Sequence, residues 1–121
     1  MPPSYVLGVD FGTNTARAVV VDCADGRTLA ASVFEYPSGD HGVITDPQEA
    51  HLARQHPGDY LVALRGSVRG ALRAAKRGKG FAAERVVGIG ADTTGSTPIP
   101  VDAACRPLAL DRRWKKHPLP I

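Results

Sequence analysis

The chain has 121 residues, of which 43% are hydrophobic and 22% charged, and its formal net charge is +3. This length favours one domain with a modest core, and the composition excludes disordered, collagen-like and coiled-coil proteins. No apolar run reaches the roughly 18 residues of a transmembrane helix, and the first residues do not resemble a secretory signal. Two widely separated cysteines, Cys23 and Cys105, favour a reducing cytosol over a disulfide framework. We therefore expect a cytoplasmic protein without a membrane partner.

Three strands are predicted at the start of the chain. Residues 5–9 and 16–21 are apolar runs that end at aspartates, which is typical of buried strands. The Asp25–Gly26 pair is a hairpin signal and leads into a third strand over residues 28–36. Because the connections are tight, these strands should form an antiparallel meander.

Two helices are predicted next. A short helix over residues 47–55 would begin with Asp46 as its N-cap and Pro47 in its first turn. A longer helix would start near Pro57 and end at Gly78. Its apolar stripe, at helical spacing, is Leu61, Leu64, Val68, Leu72 and Ala75.

The last predicted elements are strands. Residues 86–91 predict a fourth buried strand ending at Asp92, and residues 99–101 predict a short edge strand between prolines. No closing element is predicted after residue 107. The four histidines, His117 among them, lack metal-ligand spacing, and the basic residues 73–79 indicate only a helix end.

A first group of candidate site residues follows the first strand. A carboxylate at a strand end can hold Mg²⁺, usually through water, and the amides and hydroxyls of a Gly/Thr/Asn turn can donate to phosphate oxygens. A nearby arginine could neutralise a transferring phosphoryl group. An ordinary hairpin turn explains these residues equally well. The group is Asp10, which is also the candidate metal ligand, with Gly12, Thr13, Asn14 and Arg17.

A second group follows the fourth strand. Gly88 and Gly90 imitate a dinucleotide fingerprint, but Thr93 stands at the third glycine position and Pro98 prevents a helix there, so this interpretation fails. A polar strand end remains that could bind a polyol, although by itself it is more simply a Thr/Ser-rich turn. Its residues are Asp92, Thr93, Thr94, Gly95 and Ser96.

Four segments together resemble the FGGY carbohydrate kinase family: residues 8–17, 53–60, 87–102 and 107–110. The first segment resembles one that is shared by actin-like ATPases. The motif Asp-Thr-Thr-Gly-Ser-Thr-Pro in the third segment resembles the corresponding segment of the family members that phosphorylate L-ribulose. The resemblance implies an α/β fold, an incomplete actin-like (ribonuclease-H-like) domain whose mixed sheet has a β-meander followed by a helix and a strand. It implies a truncated N-terminal domain over residues 1–110 and a divergent or truncated tail over 111–121.

The resemblance also implies an activity, transfer of the ATP γ-phosphate to a ketopentose with Mg²⁺. The reaction implied is L-ribulose to L-ribulose 5-phosphate, in L-arabinose catabolism. The first group would then contact the nucleotide phosphates. Thr94, Gly95 and Ser96 would contact the sugar, with Asp92 and Thr93 close by, and the small Gly95 would leave room for a ketopentose.

Family members are several times longer, and their catalytic base is an aspartate far downstream. We therefore expect no catalytic residue here, a base beyond residue 121, and an isolated chain that is inactive and poorly soluble or molten. The expected partners are a ketopentose and ATP, with either a homo-oligomer or the missing C-terminal portion completing the site. No nucleic acid is expected to bind.

Two alternatives remain at this point. A ribonuclease-H-like nuclease or Holliday-junction resolvase would use Asp10 and Asp92 as metal ligands, and this would suit the short, basic chain. It leaves the Asp-Thr-Thr-Gly-Ser-Thr-Pro segment unexplained and requires further carboxylates near the C-terminus. The other alternative is a non-catalytic remnant.

Overall fold

The structure, a computed structural model, describes residues 1–115. His117 and the rest of 116–121 lie outside this range, and the division of the chain at residue 110 stays a prediction. The strands and the long helix are β1 (Tyr5–Phe11), β2 (Thr15–Asp22), β3 (Thr28–Glu35), β4 (Ile44–Asp46), β5 (Glu49–Arg54), α1 (Pro57–Ala75) and β6 (Val86–Thr93). Short 3₁₀ helices cover Ala83–Arg85 and Leu108–Leu110.

The main sheet has the strand order β3-β2-β1-β6. Strands β1, β2 and β3 pair antiparallel through short turns, which confirms the predicted meander. Strand β6 returns through α1 and pairs parallel to β1 on its other side. The sheet is therefore mixed, and the α/β fold class is confirmed.

The core lies between the meander and α1. Alternate residues of β1 are buried on the helix-facing side, and Ala16, Ala18 and Val20 of β2 are completely buried there. Gly66 and Gly70 let the helix approach β3, since a Cβ at Gly66 would lie 2.1 Å from the Phe34 ring and one at Gly70 would lie 2.1 Å from Ser32 Oγ. Small residues at the contact therefore set how closely helix and sheet can pack.

Helix α1 begins where the sequence predicts. Pro57 occupies its first turn, and His56 caps it by accepting a hydrogen bond on Nδ1 from the Gly58 amide at 3.0 Å. At the other end, the Gly78 amide donates to the Ala75 carbonyl at 3.0 Å.

The prediction of which residues of α1 are buried is wrong at the start of the helix. Leu61 is 60% exposed, whereas Ala63, Ser67, Ala71 and Ala75 are buried and Leu64, Val68 and Leu72 flank them. The reason is the close contact with Phe34 and Ser32 of β3, which admits small side chains at its centre and displaces the leucines to its margins.

The prediction of a short helix over residues 47–55 is also wrong, because most of these residues belong to the hairpin of β4 and β5. Asp46 does not cap a helix; its Oδ1 accepts a hydrogen bond from the Gln48 amide at 2.9 Å within the hairpin turn. An Asp-Pro pair starts a turn as readily as a helix. Cross-strand pairing of Thr45 with Ala53 then extends the chain.

Strand β6 was expected to be buried, and this is wrong too. Val87 is 70% exposed and Ile89 is 61% exposed, because α1 packs on β2 and β3, less on β1, and leaves β6 uncovered. The strand predicted at 99–101 is reduced to one bridge between Val101 and Pro107. In the described part of the chain, no helix is long and apolar enough to cross a membrane.

Candidate functional site

The two predicted groups of site residues meet at one edge of the main sheet. Strands β1 and β6 are parallel, so both end there, and the turn of residues 12–14 between β1 and β2 lies at the same edge. The Thr94 amide donates to the Phe11 carbonyl at 3.2 Å and holds the segment after β6 against the end of β1. Topology therefore brings together residues separated by about eighty positions in the chain.

One part of this edge is a charged groove on the sheet face opposite α1. Asp10 is paired in register with Arg17 of β2 on one side and with Asp92 of β6 on the other. These three side chains are exposed, and they line a groove of about 400 Å³. Gly8 and Gly90 line it too and lack side chains that could fill it.

The chemistry of this groove fits a hydrated divalent cation. Mg²⁺ retains several waters and takes only one or two protein carboxylates, with phosphate oxygens completing its shell. Asp10 and Asp92 provide two neighbouring carboxylates, and Arg17 provides a positive charge beside them. Within residues 1–115, no group of three or more His, Cys, Asp or Glu side chains is placed to hold a metal ion.

The turn of residues 12–14 is held by the side chains of Tyr36 and Gln55. The Tyr36 hydroxyl donates to the Gly12 carbonyl at 2.9 Å. The Gln55 side-chain amide donates to the Thr13 carbonyl at 2.6 Å and to the Gly12 carbonyl at 3.4 Å. The turn is thus anchored by two side chains from elements outside the β1–β2 hairpin.

An aromatic cluster supports these anchors. Tyr60 packs edge-on against Tyr36, with ring centroids 5.6 Å apart, and against Phe11 at 5.7 Å. Its hydroxyl donates to the Gln55 side-chain oxygen. Burial, followed by the charges of Tyr60, Asp10 and Asp59, raises the pKa of Tyr36 to about 12. Tyr36 therefore remains a hydrogen-bond donor at physiological pH.

Asn14 is engaged by the loop after β3. Its side-chain amide donates to the His41 carbonyl at 2.9 Å, and its own carbonyl accepts from the Tyr36 amide at 3.0 Å. His41 adopts a positive φ of 47°, which is uncommon for a residue other than glycine. The side chain of Asn14 is therefore tied to the loop after β3, and within residues 1–115 its backbone amide donates to no acceptor.

The loop after β3 is fixed to the start of α1. Asp59 is only 5% exposed, and its carboxylate accepts hydrogen bonds from the Ser38 hydroxyl at 2.8 Å and the Ser38 amide at 3.1 Å. Asp59 also lies in the first turn of α1, where a negative charge complements the helix dipole. Its bonds to Ser38 add a tertiary role.

The second predicted group lies mainly on the helix side of the sheet. Thr94 and Ser96 line a cleft of about 830 Å³ together with Thr13, Gln55 and Tyr60. Thr93 to Thr97 also line a smaller cavity of about 430 Å³ beside Phe11 and Tyr60. Asp92 lines the charged groove instead, so the group is divided between the two faces of the sheet.

The loop of residues 94–97 is shaped by its own hydroxyls. The hydroxyls of Thr94 and Thr97 are 3.2 Å apart, and Ser96 has a positive φ of 56°. A Cβ added at Gly95 would meet no atom within 4 Å, so the fold itself does not require glycine there.

Asp102 follows this loop in the chain. Its carboxylate accepts several hydrogen bonds, of which the one from the Arg106 amide has the largest effect, and these bonds hold the pKa of Asp102 below its usual value.

Sequence reasoning did not assign roles to Tyr36, Gln55 or Tyr60. Gln55 and Tyr60 belong to the 53–60 segment that carried part of the family resemblance, and that was the available signal. Tyr36 ends the predicted third strand and gave no signal, because its partner, the Gly12 carbonyl, is a backbone atom.

Comparison with known proteins identifies the relatives of this chain. A ribulokinase from Geobacillus thermodenitrificans is 39% identical over 98% of the chain, and one from Vibrio parahaemolyticus is 36% identical over 94%. The chain is thus similar in sequence to ribulokinases of the FGGY carbohydrate kinase family. It matches the N-terminal part of these ribulokinases and spans 21% and 19% of their respective lengths.

The fold comparison agrees with this assignment. The crystal structure of a xylulose kinase from Brucella ovis superimposes with a TM-score of 0.65 and 29% sequence identity, over 84% of this chain and 19% of that one. No protein-family model matches the chain. The ribulokinases and the xylulose kinase are all sugar kinases, so the comparisons give no support to the nuclease alternative.

Proposed function

We propose that this chain forms one wall of a ribulokinase active site, at which the γ-phosphate of ATP is transferred to L-ribulose to give L-ribulose 5-phosphate. The observation that carries the proposal is the register of Asp10 with Arg17 and Asp92. It places two carboxylates and a cation at the sheet edge where the turn of residues 12–14 and the 94–97 loop meet. Such an arrangement suits a magnesium-bound polyphosphate beside a polyol.

On the nucleotide side, Asp10 would hold Mg²⁺ through water, and Arg17 would offset charge on the transferring phosphoryl group. Gly12 allows the turn to approach a phosphate closely, and Thr13 and Asn14 offer backbone amides to its oxygens. Bound Mg²⁺ would neutralise charge on the β- and γ-phosphates. Phosphoryl transfer depends mainly on such positioning and charge stabilisation.

On the sugar side, Thr94 and Ser96 offer hydroxyls within the cleft that Thr13 also lines. Gly95 leaves space for the ketopentose, and Asp92 and Thr93 end the strand that supports this loop. Thr13 belongs to the proposed phosphate-binding turn and also lines this cleft, so the proposed sugar contacts lie beside one proposed phosphate contact, as a direct transfer requires.

The catalytic base of the reaction would lie outside this sequence. Residues 1–110 would form the kinase-like unit and 111–121 a divergent tail, acting in the cytoplasm in L-arabinose catabolism. By itself the chain would not turn over, because half a cleft can neither exclude water nor align the attack. Its partners would be ATP, a ketopentose, and either a second copy or the C-terminal portion of a kinase.

A chimera tests this proposal. Residues 1–110 of this chain replace the matching residues of the Geobacillus thermodenitrificans ribulokinase, and ADP release is measured with L-ribulose and D-ribulose. We expect release that depends on L-ribulose in the chimera and none from the isolated chain. A soluble, folded chimera that binds neither ATP nor L-ribulose would contradict the proposal. Turnover by the isolated chain would contradict the placement of the base.

A further inference from the structure

We infer that Tyr36 and Gln55 are positioning residues that hold the turn of residues 12–14 ready to bind a polyphosphate. They do so by occupying the carbonyl groups of the turn and leaving two of its amides free. The inference rests on the proposed function for its ligand, and it adds two residues to which neither the family resemblance nor the charged groove assigns a role.

Hydrogen bonds are distributed unevenly over this turn. All three of its carbonyls have partners: Gly12 bonds to Tyr36 and Gln55, Thr13 bonds to Gln55, and Asn14 bonds to the Tyr36 amide. The Gly12 amide donates to the Thr15 carbonyl at 2.9 Å. Among the described residues, the amides of Thr13 and Asn14 donate to no acceptor. The turn therefore offers two backbone donors, while each of its backbone carbonyls already accepts at least one hydrogen bond.

Peptide geometry explains where these two amides point. In a trans peptide, the carbonyl of one residue and the amide N–H of the next point in opposite directions. All described peptides are trans. Since Tyr36 and Gln55 bind the carbonyls of Gly12 and Thr13, the amides of Thr13 and Asn14 point away from these two side chains. Thr13 and Asn14 are both exposed, so a ligand can reach these amides.

Both anchors are themselves held in place. Tyr36 is only 3% exposed, and its ring packs against Tyr60. The Tyr60 hydroxyl occupies the Gln55 side-chain oxygen, which orients the Gln55 amide nitrogen toward the turn. Preorganised amides do not have to be oriented when an anion binds, which is the condition for strong charge stabilisation.

The ligand expected from this arrangement is a phosphate oxyanion. Two outward N–H groups bind an acceptor-only group, whereas a sugar hydroxyl also needs an acceptor for its proton. The backbone carbonyls of the turn already accept hydrogen bonds from the protein, so they are poorer acceptors for such a proton. Inorganic pyrophosphate is the simplest probe, because it carries two linked phosphates without the nucleoside or the sugar.

The experiment uses the full chain, whose amide signal dispersion also tests the expectation that it is molten, and two matched pairs of variants. Tyr36→Phe removes the hydroxyl that bonds to the turn, and Tyr5→Phe removes an equally buried hydroxyl that donates to the Gly80 carbonyl at 3.1 Å instead. Gln55→Leu is paired with Gln48→Leu in the β4–β5 turn. Backbone amide NMR spectra are recorded while pyrophosphate is added, and its Kd is obtained from the shifts.

We expect the Thr13 and Asn14 amide signals of the wild-type chain to shift. The Kd should rise about 5-fold in Tyr36→Phe and about 10-fold in Gln55→Leu, with little change in the two controls. In the chimera, Tyr36→Phe, whose residue does not line the sugar cleft, should raise the KM for ATP by a similar factor and leave the KM for L-ribulose unchanged.

Any one of the following results would overturn the inference: signals of Thr13 and Asn14 that do not respond to pyrophosphate, wild-type affinity in both anchor variants, or an equal loss in Tyr5→Phe. A preference of these amides for L-ribulose would overturn it as well. Failure of the proposed function is distinguishable, because an inactive chimera leaves the pyrophosphate measurement on the chain unaffected.

Discussion

Asp10 and Asp92 lie side by side in register on two parallel strands, although they are far apart in sequence. Adjacent strands are about 4.8 Å apart, so these carboxylates are close enough to share one hydrated cation. Arg17 flanks Asp10 on the opposite side. The proposed chemistry of the chain depends on this trio more than on any other feature.

The first prediction concerns Mg²⁺. In the chimera, Asp92→Asn removes one of the two neighbouring charges, so the Mg²⁺ concentration for half-maximal activity should rise about 10-fold. Asp40→Asn is the control, since the Asp40 side chain is 94% exposed and lies in the loop after β3. Titration of ADP release against Mg²⁺ checks this. An unchanged Mg²⁺ requirement in Asp92→Asn would remove Asp92 from the cation site.

The contact between α1 and β3 leads to a stability prediction. Gly66→Ala places a methyl group against the Phe34 ring, and overpacking of this kind costs about 1–3 kcal/mol. Gly90→Ala meets no atom within 4 Å and should change stability by less than about 0.5 kcal/mol. Urea denaturation followed by circular dichroism gives both values. Equal stabilities for the two variants would mean that helix and sheet do not pack this closely.

Ser38 and Asp59 form a second test of stability. Ser38→Ala removes one of the two hydrogen bonds to the buried carboxylate, and a bond to a charged group contributes about 2 kcal/mol. Ser4→Ala should be neutral, because its hydroxyl has no partner within residues 1–115. Thermal and urea unfolding of both variants measure the difference. A loss in Ser4→Ala as large as in Ser38→Ala would contradict this assignment.

The raised pKa of Tyr36 predicts that the stability of the chain depends on pH under alkaline conditions. Its pKa is about 12 in the folded chain against 10.0 when unperturbed, so the protonated form is favoured by folding. Its contribution to stability should be complete below pH 10 and disappear as the pH rises to 12, because the unfolded chain releases this proton first. The difference in unfolding free energy between the wild type and Tyr36→Phe should shrink over that interval. A constant difference would contradict the raised pKa.

Gly95 allows stability and substrate fit to be separated. The Cβ added by Gly95→Leu would meet no atom within 4 Å, and residue 95 is exposed, so the melting temperature should change little. If the ketopentose occupies the adjacent space, the KM of the chimera for L-ribulose should rise about 10-fold or more while the KM for ATP stays constant. Steady-state kinetics against each substrate separate these effects. Wild-type KM for L-ribulose would place the sugar elsewhere.

The sequence predicted the elements whose signals are local. The meander followed from apolar runs and turn residues, and the start of α1 followed from Pro57. Residues 47–55 were predicted wrongly because an Asp-Pro start is common to helices and turns, and only the pairing of β4 with β5 decides between them. The exposed face of β6 depends on the position of α1, which the apolar run of that strand does not encode.

The site was predictable as a list of residues but not as a geometry. Asp10 and Asp92 were both selected from strand ends, yet their shared groove became evident only from the parallel register of β1 and β6. The role of Tyr36 depends on a bond to a backbone carbonyl, and no residue pattern indicates such a bond.

The central claim is that this chain provides phosphate and sugar contacts to a ribulokinase reaction, and sugar-dependent ADP release by the chimera tests it most directly. The account predicts release that depends on L-ribulose and falls about 100-fold or more in Asp10→Asn, with Asp40→Asn retaining full activity. A folded chimera whose activity is the same with Asp10→Asn as without it would contradict the account.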